Sequence, residues 1–338
     1  MTSFLSEFSQ PFLLAVACWP FASLLLTLPV LALLYHRDNR LRFSAVLTAY
    51  LVVLYLLGLA CFTLYPLPAD PVAYCAAHHL SPQLNPLQFI DDVASDGLIA
   101  ILQIVMNIVF FLPLGFFMGR TFRFRLRVAL PLGFAMSLLI ETAQLTGIFG
   151  LFPCAYRLFD VDDLIWNTSG ALLGFAAAML VNRVFPVTVL EDDVITDRPG
   201  FIRRAIAFLI DQMLASVISL PFSFLVFAGL AVLGGERVWR AGSVGSMAVF
   251  VLSFAVLEIV VPWRRGGRTL GGGFLRMSAE TKPRQGAARV VFYVARFVSL
   301  YAVTLFGHSD LSPWPQLWVL FLLGFWVVVR RMPYDLLP

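Results

Sequence analysis

Charge is the scarcest ingredient of this sequence. Only 13% of its 338 residues are Asp, Glu, Lys or Arg, while 60% are hydrophobic. A soluble domain carries roughly 25% charged residues. The shortage excludes a soluble globular protein, which needs a polar surface that this chain does not have. Several stretches reach the ~18–20 apolar residues that cross a bilayer core, so the chain reads as a polytopic membrane protein. Alternating polar-in strand patterns are also missing. Backbone groups in lipid must be satisfied internally, so the spans are read as helices and the fold class as an all-α transmembrane helical bundle.

Other absences narrow the chemistry. There is no P-loop, no G-x-S-x-G elbow and no H-E-x-x-H pair. The glycine run Gly271–Gly273 lacks the strand–helix context of a nucleotide site. His78 and His79 stand beside Cys75 but lack zinc-like spacing, so neither a metal nor a cofactor is expected. The start of the chain has no basic n-region and no A-x-A cleavage site, so the first span is expected to remain.

What is present is a regular alternation of apolar and basic segments. We read about nine spans, near 12–34, 43–65, 98–119, 128–149, 163–182, 205–233, 243–263, 288–306 and 314–329. Pro221 is expected to kink or break the sixth, because proline lacks the N–H and clashes with the preceding turn. Arginines crowd every second loop: Arg37, Arg40 and Arg42, then Arg120 to Arg127, then Arg183 with Arg203 and Arg204, then Arg264 to Arg289, then Arg330 and Arg331. The 66–97 loop instead carries Asp70, Asp91, Asp92 and Asp96 without a Lys or Arg. The positive-inside rule then puts the amino terminus outside and the carboxyl terminus in the cytoplasm. The formal net charge of +4 is a topology signal on this reading and gives no ground for a nucleic-acid partner. The basic loop around Gly271–Gly273 sets topology or touches anionic headgroups.

Polar residues inside spans mark two places. At the outer end, Asp163, Asn167, Gly170 and Gly174 share one helix face, and Gly170 and Gly174 form a small-xxx-small pair that admits a close neighbour. Glu141 and Gln144 share a face of the preceding span. Asn107 lies on the third span in line with Gly115 and Gly119. Buried ionisable groups face a bundle interior, so Asn107, Glu141, Gln144, Arg157, Asp160, Asp163 and Asn167 are expected to converge on a polar pocket open to the outside. The alternative for the amides is hydrogen-bonded helix glue. Cys75 and Cys154 fall in outer loops, where a disulfide can form over that pocket; unpaired thiols are the alternative. In the second half, Arg204, Ala207 and Asp211 share one helix face, and Asp211, Glu258 and Arg296 sit at similar depth near the inner side. They read either as a structural ion-pair lock or as a cation or proton site.

Three ordered motifs, "NIVFFLPLGF" (107–116), "ETAQL" (141–145) and "RLFDVDDLIWNTSGALLG" (157–174), resemble the VanZ-like family over residues 1–183. "LNPLQFI" (84–90) looks like that family's loop before the third span. The resemblance implies an integral membrane protein of the cell envelope, with a role in glycopeptide or lipoglycopeptide tolerance. After a polar linker at 184–198, "RPGFIRRAIAFLID" (198–211), "GGRTLGGGFLRM" (266–277) and "RRMPYDLLP" (330–338), the last through Asp335, resemble the RDD family over residues 199–338. A lysine often follows T-L-G in that family; Gly272 stands here. Some members of that family are linked to cation or proton transport.

The expected function is therefore that of a non-enzymatic protein of the bacterial plasma membrane. Its outer pocket binds an amphipathic ligand, a lipid-linked envelope precursor or a lipoglycopeptide, with Arg157 against an anionic headgroup and membrane lipids as the other partners. Two alternatives stand beside it. One is a transporter using Glu141, or Asp211 and Glu258. The other is a divalent-metal-dependent enzyme acting on a lipid phosphate through Asp160, Asp162 and Asp163.

Overall fold

Residues 2–186, 195–231, 236–306 and 313–338 are described by the computed structural model. Residues 187–194 of the 184–198 linker lie outside them. Eight of the described helices are long and apolar enough to cross a membrane: Ser9–Asp38, Phe43–Leu64, Leu98–Arg120, Leu126–Leu145, Val161–Val184, Phe201–Leu230, Ala241–Arg264 and Gly286–Thr304. The ninth apolar helix, Trp314–Val329, has 16 residues, about 24 Å at 1.5 Å per residue against a hydrocarbon core of ~30 Å. No strand occurs among the described residues, and the protein is an all-α polytopic bundle.

Two compact units divide the chain, one of Met1–Leu26 and Leu47–Val189, the other of Thr27–Val46 and Leu190–Pro338. In the first lie most of α1 (Thr2–Asp38) before Thr27, α2 (Phe43–Leu64) from Leu47 on, the short α3 (Pro71–Ala77) and α4 (Gln88–Asp96), α5 (Leu98–Arg120), α6 (Leu126–Leu145), the turn α7 (Gly147–Gly150) and α8 (Val161–Val184). Asp70 starts α3 by accepting the Val72 and Ala73 N–H groups, with Pro71 at the first helical position. Asp160 starts α8 in the same way, accepting the Asp162 N–H at 2.8 Å. The central contact is α5 against α8. A Cβ on Gly170 would overlap the Ile108 carbonyl, and one on Gly174 the Leu112 carbonyl. The small-xxx-small pair thus lets two backbones touch, the means by which helices associate where no hydrophobic force drives them. Phe111, Met118, Ala129, Ile140, Ala171 and Phe175 fill the core beside this seam.

The second unit is built from α9 (Phe201–Ala231), α10 (Glu236–Ala255), a π-helical turn (Val256–Val260), α11 (Val261–Arg264), α12 (Leu270–Phe274), α13 (Gly286–Thr304) and α14 (Trp314–Val329). The expected break at Pro221 does not occur: α9 runs through it. Proline is tolerated within membrane helices because neighbouring groups and local adjustments re-satisfy the freed carbonyl. Parts of the basic 264–289 segment are buried in this unit. Thr269 caps α12 by accepting the Gly272 N–H at 2.9 Å, and Thr269, Gly271 and Gly272 are buried. Arg284 lies over the Phe292 ring and donates to the carbonyls of Asp335, Leu337 and Pro338. Arg289 pairs with Glu280 at 2.9 Å.

Candidate functional site

One end of the first unit gathers polar side chains from three helices and two loops. On α6, Ser137, Glu141 and Gln144 are buried at i, i+4 and i+7, one stripe of a helix. Ser137 Oγ accepts from Asn167 Nδ2 at 3.0 Å. Glu141, 1% exposed, accepts the Asp160 N–H at 3.0 Å. Gln144 donates to the Thr63 carbonyl at 2.8 Å. On α5, Asn107 donates to the Asp163 carboxylate. All seven residues expected at this pocket lie in this unit, and most are held by partners that the sequence reading did not name. Arg157 donates to the Tyr65 carbonyl at 3.1 Å and remains within electrostatic reach of Glu141 and Asp163.

The loops that precede α4 and α8 are joined to each other. Cys75 and Cys154 form a disulfide with their Cα atoms 5.8 Å apart. The Tyr74 hydroxyl donates to the Tyr156 carbonyl at 3.2 Å, and the Tyr156 hydroxyl donates to the Leu64 carbonyl at 2.9 Å. Gln83 bridges backbone to backbone with the chain at Asp160 and also donates to the Asp160 carboxylate at 3.1 Å. Burial raises the Asp160 carboxyl above the ordinary aspartate value, and the Asp162 N–H works the other way.

A small cavity of about 80 Å³ opens between α4, α5 and the start of α8. Its wall includes Asp92 and Asp96 from α4, Asn107 from α5, and Asp160, Asp162 and Asp163, with Phe89 and Trp166 perpendicular at 5.4 Å between centroids. Arg157, the group expected to meet an anionic headgroup, is not part of the wall. Its guanidinium is turned to a loop carbonyl instead. Asp92 and Asp96 stood in the sequence as loop charges; their i, i+4 spacing on a short helix was the signal that they share a face. Among the described residues, no three His, Cys, Asp or Glu are grouped to hold a metal ion.

The second unit holds the other cluster. Arg296 and Glu258 form a buried ion pair, and Arg296 also donates to the Glu258 carbonyl at 3.1 Å. Glu258 sits in the π-helical turn, a local widening that often accompanies functional positions. Asp211 accepts the Gly271 N–H at 2.7 Å, while its Oδ2 is buried without a hydrogen-bond partner. A Cβ on Gly271 would overlap the Ala207 carbonyl, so glycine lets α12 reach α9 and deliver that N–H. Arg204 does not join Asp211 or Glu258. It pairs with Asp335 at 2.9 Å, both side chains nearly fully buried. The spacing along α9 placed Arg204 and Asp211 on one face but held no information on a partner 131 residues away.

Residues 52–182 match the VanZ/LLP1 family model, and residues 198–330 match the RDD family model. No curated protein and no solved structure matches the chain. This integral membrane protein thus carries a VanZ-like domain and an RDD domain in one polypeptide.

Proposed function

We propose that the VanZ-like domain binds an amphipathic or lipid-linked envelope ligand at its outer end, without catalysing a reaction, and that this binding serves tolerance of glycopeptide antibiotics at the bacterial plasma membrane. The observation that carries the reading is the Asp-lined cavity between α4, α5 and the start of α8. A concave site with a few convergent polar groups and aromatic walls is the usual form of a ligand pocket. The disulfide supports an outside position for the loops it joins, since such bonds persist in oxidising compartments. It agrees with an amino terminus outside and a carboxyl terminus in the cytoplasm. Division of labour at the 184–198 linker completes the proposal. The test is drug tolerance in cells expressing Asp163→Asn or Asp162→Asn at normal protein level. Loss of tolerance supports the reading, and unchanged tolerance overturns it.

A second reading concerns the RDD domain, as a cation or proton carrier. Asp211 is fully buried, and its Oδ2 has no donor. A buried carboxylate oxygen left without a donor is suited to hold a proton or a cation. Ion flux in proteoliposomes that disappears in Asp211→Asn supports this reading; flux that persists there sinks it.

A further inference from the structure

The second unit encloses a cavity of about 120 Å³ walled by α9, α13 and α14. Along α13 the wall is Arg296, Leu300 and Val303, at i, i+4 and i+7, one stripe of that helix. The stripe covers about 10 Å of rise and passes from a charged side chain to apolar ones. Arg204 of α9 also lines the cavity, and Tyr334 is within electrostatic reach of both arginines, so the charged groups gather at one end. Leu323, exposed, and Phe208 and Val303, half-buried, belong to the same wall. The cavity therefore opens on apolar side chains, which in a bilayer face hydrocarbon.

Each guanidinium on the wall already has its carboxylate, Arg204 with Asp335 and Arg296 with Glu258, so the wall calls for no counter-ion. It has donors to spare instead. A guanidinium carries five N–H groups, and Arg296 uses only Nη1, on the Glu258 carboxylate and carbonyl. Its Nε and Nη2 have no hydrogen-bond partner among the described residues, and neither is closed to a water-sized probe. Arg296 is 7% exposed, and the cavity is the open space it borders. The volume far exceeds the ~10–15 Å³ that one water needs. Waters there would each need about two to four polar partners, and past the arginine end the wall offers only apolar side chains. What fills the cavity is therefore mostly hydrocarbon, with an oxygen acceptor at one end.

We propose that this cavity holds one acyl chain of a membrane phospholipid. The ester carbonyl oxygen accepts from the spare N–H groups of Arg296, and the chain runs along Leu300 toward Val303. A neutral acceptor suits the site, because a buried carboxylate or phosphate would meet the Glu258 and Asp335 carboxylates and find no unmatched cation. The headgroup takes no part in this contact.

Native mass spectrometry of the full-length protein, released from nanodiscs and washed with detergent, tests this. The probes are dioleoyl phosphatidylcholine, phosphatidylglycerol with the same chains, and the dialkyl ether analogue of the phosphatidylcholine, which lacks the carbonyls. The expected result is a retained lipid, with equal retention of the two ester lipids. Retention of the ether lipid should be about tenfold lower, as loss of a hydrogen bond from a charged donor requires. Ala205→Phe puts a ring on the α9 wall and keeps both ion pairs, and should abolish retention. Leu323→Trp narrows the cavity from an exposed position, so it serves if Ala205→Phe does not fold, and should lower retention about tenfold. Ether lipid retained as well as ester lipid overturns the Arg296 contact. Phosphatidylglycerol retained tenfold better than phosphatidylcholine overturns the neutral acceptor. No retained lipid, or retention unchanged in a folded cavity variant, overturns the site.

Discussion

Arg204 at the start of α9 and Asp335 in the closing segment meet at 2.9 Å, with side chains 9% and 0% exposed. The Asp335 carboxylate also accepts the Met332 N–H at 3.1 Å. One buried pair therefore fixes the last residues of the chain onto the first helix of the RDD domain. We predict that Arg204→Met alone destabilises this half by about 3–5 kcal/mol, because it strands a buried carboxylate. Arg204→Met with Asp335→Leu should recover much of that loss. Thermal unfolding in detergent decides the matter; a double variant as unstable as the single one would contradict it.

Arg296 and Glu258 offer the same comparison with a functional edge. Arg296→Met should lower stability, since it removes the cation from beside Glu258 and Asp211. The paired Arg296→Met and Glu258→Leu variant should regain it if the pair only locks helices. If that double variant folds and a measured ion flux vanishes, the pair does more than hold α13 to the π-helical turn. Normal flux would leave it structural.

The α5–α8 seam gives a prediction by contrast. Gly174→Ala places a methyl group into the Leu112 carbonyl, while Gly58 on α2 has open space around its Cα. The first change should cost on the order of 1–3 kcal/mol, as overpacking does. Gly58→Ala should be neutral or mildly stabilising, since alanine is the better helix former. Equal melting temperatures for the two variants would refute backbone contact at Gly174.

Orientation and the disulfide can be read in one experiment. In intact cells, Cys75 and Cys154 should resist an impermeant maleimide until a reductant is added. A Cys placed at 195 should stay unlabelled from outside. Labelling of residue 195 would invert the proposed topology. Loss of the bridge in Cys75→Ala should cost about 2–4 kcal/mol, the usual range for a native disulfide.

Length, hydropathy and small-residue spacing determined from sequence alone that this chain is a bundle of apolar helices, and that Gly170 and Gly174 mark a close helix neighbour. These are local quantities: a span is legible because every residue in it must meet the same lipid. The ordered motifs likewise marked both families, and the stripe containing Glu141 and Gln144 was legible at helical spacing. Partnership was not legible. The second half of α1 packs with the later unit, where Ala32 meets Ile206, Ala207 and Leu275. Arg204 takes Asp335, Arg157 turns to the Tyr65 carbonyl, and α12 reaches back to Asp211. Only the tertiary structure decided these, because a buried charge or N–H selects its partner by three-dimensional proximity, and residues far apart in sequence carry no periodic signal that they will meet.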